Sequence, residues 1–549
     1  VIARTKTITT LTVGMCLVAA LFCGGAGAAA PRWSPVMTSA PTVLPPVQSE
    51  IQSVYVDAEG GSYTLKFGAA TTSAIPFDAA PGEVQAALNA LSTIGGAGGS
   101  VSVVGGPGAR DAKTPYAVTF GGSLANSNVA QMTSDGSGLS GGATQSAGIG
   151  TTVPGGAGTT KLVLYLQNIG GFESTGTITY KAQLPPGVTT TATPTSEPTN
   201  FEQQWSCTSG AGQTEFTCTL SGASVRPAAV GPVIVASVTA APGATTGVVQ
   251  SEVSGGGAPP ATEELTLTIS PVPATAGVTV FKAGAYDSSG RQDTQAGGHP
   301  YSAGTQILLN TVRSPKGGVL PAGEAQDIVV SLPHGFLGNP IAVPQCPEST
   351  PDVSCPLDTD VGLVQPLTSV QEGGGGGVPV TNTEAPNGYP AKYRFNILGV
   401  EPLNAVGTLR SDEDYGIDVG SIRTPQIVPL YGAFFTFWGW PADPSHDAQR
   451  CTTTTFTRPG VCGPSDVPNT AFITSAVNCT EQAVEPPVTD LKVSFWNAEK
   501  TVVHSSVTIP PVTGCDKLHF ESAFTFQPDQ AKADSPAAFT SNLTVPSEG

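Results

Sequence analysis

The residues best suited to chemistry sit together in one short stretch, Asp443-Pro444-Ser445-His446-Asp447, directly after Phe437-Trp438-Gly439-Trp440-Pro441. Two carboxylates flanking a histidine can bind a metal or orient a general base. The same residues also make an ordinary Asp/Pro/Ser turn with a solvated histidine. The chain has five histidines, at 299, 334, 446, 504 and 519. None stands in an H-E-x-x-H pattern or beside a cysteine. Ser411-Asp412-Glu413-Asp414-Tyr415-Gly416 bunches three acids, and Asp412 and Asp414 are the weak calcium candidates, because hard oxygen ligands at alternate positions suit that ion. The full D-x-[DN]-x-[DN]-G loop is missing, so calcium is the one cofactor considered and a solvated acidic turn is its competitor. Gly138-Leu139-Ser140-Gly141-Gly142 fits G-x-S-x-G, but a nucleophile elbow needs a helix after the serine, and GGATQSAGIG does not supply one. No catalytic residue is assigned from the sequence.

Aromatics form a second concentration: Phe434, Phe435, Phe437, Trp438 and Trp440. Strand alternation gives Phe435 and Phe437 one face and sets Phe434 and Trp438 on the other or beyond the strand end. That pattern reads as packing on both faces. Trp440, beside Pro441, is the residue placed best for exposure. With Asp443, His446 and Asp447 it is the weak candidate for a binding loop.

Ten cysteines are present, of which Cys16 and Cys23 fall in the leader described below. The other eight are Cys207, Cys218, Cys346, Cys355, Cys451, Cys462, Cys479 and Cys515. Eight cysteines allow 105 pairings. Their clustering suggests pairing in sequence order: 207–218, 346–355, 451–462 and 479–515. No C-x-x-C spacing occurs, which argues against zinc. Disulfides imply an oxidising compartment.

Residues 1–30 read as a signal peptide, with Arg4 and Lys6 ahead of the apolar run Leu11–Phe22 and small residues at Ala26–Ala30. Cleavage is expected between Ala28 and Arg32. The expected location is therefore secreted or cell-surface, with no membrane insertion once the signal is removed. The formal net charge of −18 repels phosphate and anionic lipid, so nucleic acid is not an expected partner.

The elements that must position these residues are strands. Charged residues make up 12% of the chain, against about 25% in an ordinary soluble domain. Gly (67) and Pro (49) fall short of the ~25–30% that marks low complexity. Recurring Val, Thr, Ile and Phe between Gly/Pro turns predict a mainly β chain of serial β-sandwich (immunoglobulin-like) modules, with one small α+β module near the N-terminus. Residues 31–50 are Pro-rich and non-periodic and read as a linker. Residues 51–150 give β-β-α-β-β. Their one clear helix begins at Pro81, carries an apolar stripe of Val84, Ala87, Leu88 and Leu91, and stops at Gly95. Residues 151–270 hold seven short strand-like runs, which argue a sandwich. Residues 271–549 read as one or two further disulfide-bonded β-sandwich units with long loops. Strand-like runs there include Gly277–Ala283, Thr305–Leu309, Asp327–Leu332, Lys392–Leu398, Gly416–Val419, Gly432–Trp438, Leu491–Trp496, His504–Ile509 and Leu518–Phe526.

Within 151–270, Asn168, Leu184, Pro185, Gly187, Trp205, Cys207, Cys218, Val253 and Ser254 fall on a familiar pattern. The segment resembles the immunoglobulin-like repeat of unknown function found in large bacterial surface proteins. It departs from that repeat in its last strand, Gln250-Ser251-Glu252-Val253-Ser254, which lacks the usual Asn. The resemblance covers about 110 residues and implies a spacer or display module with no catalytic residues. Residues 51–146 resemble a companion module of such proteins through Tyr63, Phe67, Ile75-Pro76-Phe77, Val84–Leu88 and Tyr116–Phe120. Residues 271–549 resemble the repeating body of very large secreted bacterial proteins through LPHGFLGNP, FWGWPADPSHDAQR and ADSPAAFTSNLTVP.

The leading expectation is a non-enzymatic secreted or surface protein acting as spacer, adhesin or envelope component, with cell-envelope components or extracellular glycans as partners. The alternative is a carbohydrate-binding or polysaccharide-degrading protein working through the long loops of 271–549. A loop cleft with two facing carboxylates favours the alternative, and a filled sandwich favours the first.

Overall fold

The computed structural model describes residues 29–544 apart from 108–113, 142–144, 200–202, 223, 315–317, 352–353, 373–376, 398–400, 412–414, 451–465, 497–501, 519–522, 531 and 535. The fold is mainly β and antiparallel, as expected. The signal peptide, apart from its last two residues, lies outside the described residues.

The first module pairs strands 146–153, Ile51–Asp57, Tyr116–Gly122 and Gly99–Gly105 into one sheet, with short strands gathered around Gly60–Phe67. The expected helix runs from Pro81 to Asn89. The Glu83 carboxylate accepts the Ala80 amide at 2.8 Å, which satisfies one of the donors a helix start leaves open. Val84, Leu88 and Leu91 are buried against Val101, Val103 and Tyr116. Its polar face covers the sheet edge: Asn89 accepts from Val101 N (2.7 Å) and donates to Val101 O (3.1 Å), and Gln85 accepts from Val103 N (3.0 Å). An edge strand's unpaired backbone groups are thereby closed off.

The second module is a sandwich. One sheet runs Trp33–Ala40, Thr159–Asn168, Val233–Ala240 and Val188–Thr190, with Thr195–Glu197 also on the third strand. The other runs Ser206–Cys207, Glu215–Leu220, Ile178–Gln183, Gly247–Gly255, Ala258–Ile269 and Val43–Leu44. Leu162, Leu164, Leu166 and Ile234 meet Ile178, Tyr180, Val249 and Leu267 in the core. Trp205 donates to Pro232 O at 2.6 Å and meets Tyr180 edge-on. Asn168 ties the corner after its strand. Its Oδ1 accepts from Arg32 N and Gly170 N, and its Nδ2 donates to Phe172 O and Val225 O.

Residues 31–50 are corrected from linker to structure. Trp33–Ala40 pairs along its whole length with Thr159–Asn168. It shows no alternation because both faces are buried. Trp33 and Met37 enter the sandwich core, while Val36 and Ala40 enter a second core on the opposite face. Its one proline, Pro35, is tolerated because this is an edge strand, where a missing N–H need interrupt no ladder.

That second core joins the sandwich to residues 271–549. Val163, Tyr165, Val233 and Val235 pack against Leu308, Leu367, Tyr431 and Phe434. Tyr165 and Phe434 meet edge-on at 5.6 Å, and the Tyr165 hydroxyl donates to Val370 O at 2.8 Å. Polar ties rim the contact. Gln306 donates to Gln167 (2.6 Å), and Lys282 reaches both Glu263 (2.5 Å) and Pro35 O (2.9 Å).

The expectation of one or two sandwich units in 271–549 is also corrected. One eleven-stranded antiparallel sheet runs through this block, in the order Val278–Tyr286, Ser302–Leu309, Gly432–Trp438, Asp360–Leu367, Val378–Thr383, Ala391–Ile397, Glu401–Leu409, Ile417–Ser421, Ala325–Ser331, Val488–Phe495, Val502–Thr508. It curls until the first and last strands lie against each other. Right-handed twist accumulated over so many strands favours this closure. A separate hairpin, Ala523–Pro528 with Phe539–Thr544, leaves Phe524, Phe526, Phe539 and Leu543 exposed on one face.

Among the described residues three disulfides pair in sequence order: Cys207–Cys218, Cys346–Cys355 and Cys479–Cys515. Cys207 and Cys218 stand opposite each other on neighbouring strands, as expected. The Cys451–Cys462 pairing lies outside the described residues, as do Asp412 and Asp414.

Candidate functional site

The strand Gly432–Trp438 carries the aromatic cluster, and its alternation is as expected. Phe435 and Phe437 face the inside of the curled sheet, while Phe434 and Trp438 face outward. The chain then turns at Gly439, which lies so close to the Pro300 carbonyl that no side chain fits. The Asp443 carboxylate accepts from the amide and hydroxyl of Ser445, at 2.9 and 2.7 Å, and so starts a short helical turn. That turn drives His446 inward. Its ring stacks on Trp438 at 4.6 Å and lies against Tyr301 at 4.7 Å. Nδ1 is 3.1 Å from Oε1 of Gln449. Burial pushes the His446 pKa down to about 3, so the ring is neutral at physiological pH.

Asp447 holds Arg450 (3.0 Å), whose guanidinium lies 4.8 Å over Trp438 and donates to Pro441 O at 2.6 Å. Burial lowers the Arg450 pKa, against the pull of Asp360 and Asp447. Trp440 is half-buried, donates to Asn469 Oδ1 at 2.7 Å, and meets His299 edge-on. The four sequence candidates do come together. They form a clasp around the buried His446, with Trp440, Asp443 and Asp447 half-buried and each engaged in holding the loop. Among the described residues no group of three or more potential metal ligands converges.

The sequence reading missed a concavity on the inside of the same sheet. A cavity of about 200 Å³ runs between inward faces bearing Ile307, Val330, Val364, Tyr393, Phe395, Phe435 and Phe437. Among the described residues no charged side chain lines it. Phe336, Phe472 and Ile473 cap one end, where Leu337–Gly338 pairs with Ile473–Thr474 as a strap. His299 Nδ1 contacts the Ile473 carbonyl from outside, at 3.0 Å. The available signal was the run of small residues inside otherwise good strands: Ala283-Gly284-Ala285 and Ala303-Gly304. Neither sequence criterion is met in this block. It shows no cleft with facing carboxylates among the described residues, and it is not a filled sandwich.

No family model matches the chain, and no curated protein matches it. Solved structures give weak likenesses. The C-terminal domain of the Streptococcus agalactiae AgI/II polypeptide BspA is 8% identical at a TM-score of 0.18, covering 64% of this chain and 93% of that one. The C-terminal domain of the Streptococcus pyogenes antigen I/II-family protein AspA is 10% identical at 0.17, covering 64% and 92%. The B domain of a biofilm-associated protein is 9% identical at 0.19, covering 64% and 82%. Superpositions at this level carry nothing about what the chain does.

Proposed function

We propose that this chain works outside the cell as a non-enzymatic structural and adhesive component, presenting its modules in a fixed relation to one another. The observation that supports this best is the second core. Val163, Tyr165, Val36 and Ala40 are buried on the outer face of a sandwich sheet, against Phe434, Leu308 and Leu367 of the next block. A flexible string of modules has small, polar contacts between its domains. Here the contact is an apolar core of its own, built on the outer faces of both sheets, so load or ligand on one module is felt by the next. The disulfides among the described residues suit an oxidising exterior. The polysaccharide alternative works through the long loops of 271–549, and the candidate residues Trp440, Asp443 and Asp447 in one of those loops are already engaged with intramolecular partners.

The test is made on cells that produce the chain. A membrane-impermeant amine label should reach it on intact cells, and its deletion should reduce attachment or cell-to-cell cohesion. Protein shielded from the label, with attachment unchanged on deletion, contradicts the proposal.

A further inference from the structure

We propose that the interior of the eleven-stranded sheet is a binding site for a small apolar ligand with the bulk of a medium-length acyl chain, reached from the strapped end. This goes beyond the structural role above and does not depend on it.

The emptiness is written into the strand register. Ala285 stands opposite Ala303, and Ala391 opposite Gly407, so small residues meet small residues across neighbouring strands. Ala405 stands opposite the larger Tyr393, whose ring borders the space. Strands ordinarily favour β-branched and aromatic residues at such positions, and here these sit around the space instead. Closed sheets of this kind fill their interior with side chains or hold a ligand there.

The chemistry of the lining selects the occupant. Aliphatic and phenyl groups dominate, with side-chain hydroxyls only from Thr305, Tyr393, Ser421, Thr424 and Thr489 among the described residues. A sugar would leave most of its hydroxyls without partners inside, which is unfavourable. An apolar body is favoured, as in other dry cavities. At about 30 Å³ per non-hydrogen atom, taken from the share of a water molecule, the cavity of about 200 Å³ holds roughly seven carbons of a chain, which is the tail of an eight-carbon acid whose carboxylate stays outside.

The opening is marked as well. Leu337 lines the cavity and is 53% exposed, so the space meets solvent at the strap. Exposed Ile341, Tyr389, Leu409 and Tyr415 lie on the loops and strand ends at this same end. A polar head group can therefore stay in water while the chain enters.

Octanoate is the probe, titrated into the full chain by calorimetry, with hexanoate and hexadecanoate as length controls. Saturable one-to-one binding is expected, strongest near eight carbons, together with a raised melting temperature. Ala405→Phe, which fills the space, should weaken binding at least tenfold while the chain keeps its circular dichroism spectrum. Ala303→Leu is the milder filling variant should Ala405→Phe fail to fold. Absence of binding and of any melting shift with octanoate overturns the proposal. So does binding that ignores chain length, or that persists unchanged in a folded filling variant.

Discussion

At the residue scale, His446 shows how a motif can promise chemistry and deliver architecture. Asp443, His446 and Asp447 are spaced as a metal or base site would be. Proximity alone does not set a role, though, because burial and partners do. The ring is enclosed by Trp438 and Tyr301, and its pKa falls to about 3. A histidine depressed in the folded state contributes stability that is complete above the ordinary value near 6.5 and is lost as pH falls toward the folded value. Between pH 6.5 and 5 this group should remove up to about 2 kcal/mol. His446→Phe keeps the stacking and removes the proton. It should unfold in urea with a midpoint that depends less on pH over this range than the parent's, at a pH-independent loss of about 1 kcal/mol for the forfeited Gln449 contact. Equal pH dependence in the two proteins would assign the acid sensitivity elsewhere. The sequence brought these residues together correctly. It could not show the burial of His446, because one of the two rings that enclose it, Tyr301, lies 145 positions earlier in the chain.

At the element scale, legibility tracked how many faces of a segment are buried and how far Gly and Pro interrupt it. The Pro81–Asn89 helix was readable because one stripe is apolar and its start carries Pro81 and Glu83. Gly432–Trp438 was readable to the residue, since its aromatics alternate. Asp360–Leu367, Val378–Thr383 and Glu401–Leu409 were not. Pro366, Pro379 and Pro402 lie inside them, and Asn382, Asn404 and Gly407 dilute the apolar period. The helix also has a job its apolar stripe does not reveal. Asn89 closes both backbone groups of Val101 on an edge strand. Asn89→Ala should therefore lower stability by about 1–3 kcal/mol, more than an exposed helix position normally does, because two partners are lost together. Chemical denaturation measures it. A change within about 0.5 kcal/mol, typical of a surface substitution, would show the edge to be satisfied by water instead.

At the scale of the whole molecule, module boundaries were the hardest feature to read. Residues 31–50 look like a linker because alternation is missing, and alternation is missing for the opposite reason to disorder. Trp33–Ala40 is covered from both sides. The companion strand carries the same signature in its unbroken run Leu162-Val163-Leu164-Tyr165-Leu166, which a sandwich with one solvated face does not need. Such runs fit a layer shared by two cores. Here the sandwich sheet serves its own interior through Leu162, Leu164 and Leu166 and the neighbouring block through Val163 and Tyr165. Fixed presentation of the modules rests on that shared layer, and Phe434 is its centre on the far side. The most direct measurement is differential scanning calorimetry of the full chain beside Phe434→Asp, which places a charge in the shared core and should destabilise it by at least about 3 kcal/mol. The expected result is one transition spanning sandwich and curled sheet in the parent, with the sandwich's melting lowered by this distant substitution. A sandwich transition that is separate in the parent and unmoved in Phe434→Asp would contradict the shared core and the rigid arrangement built on it.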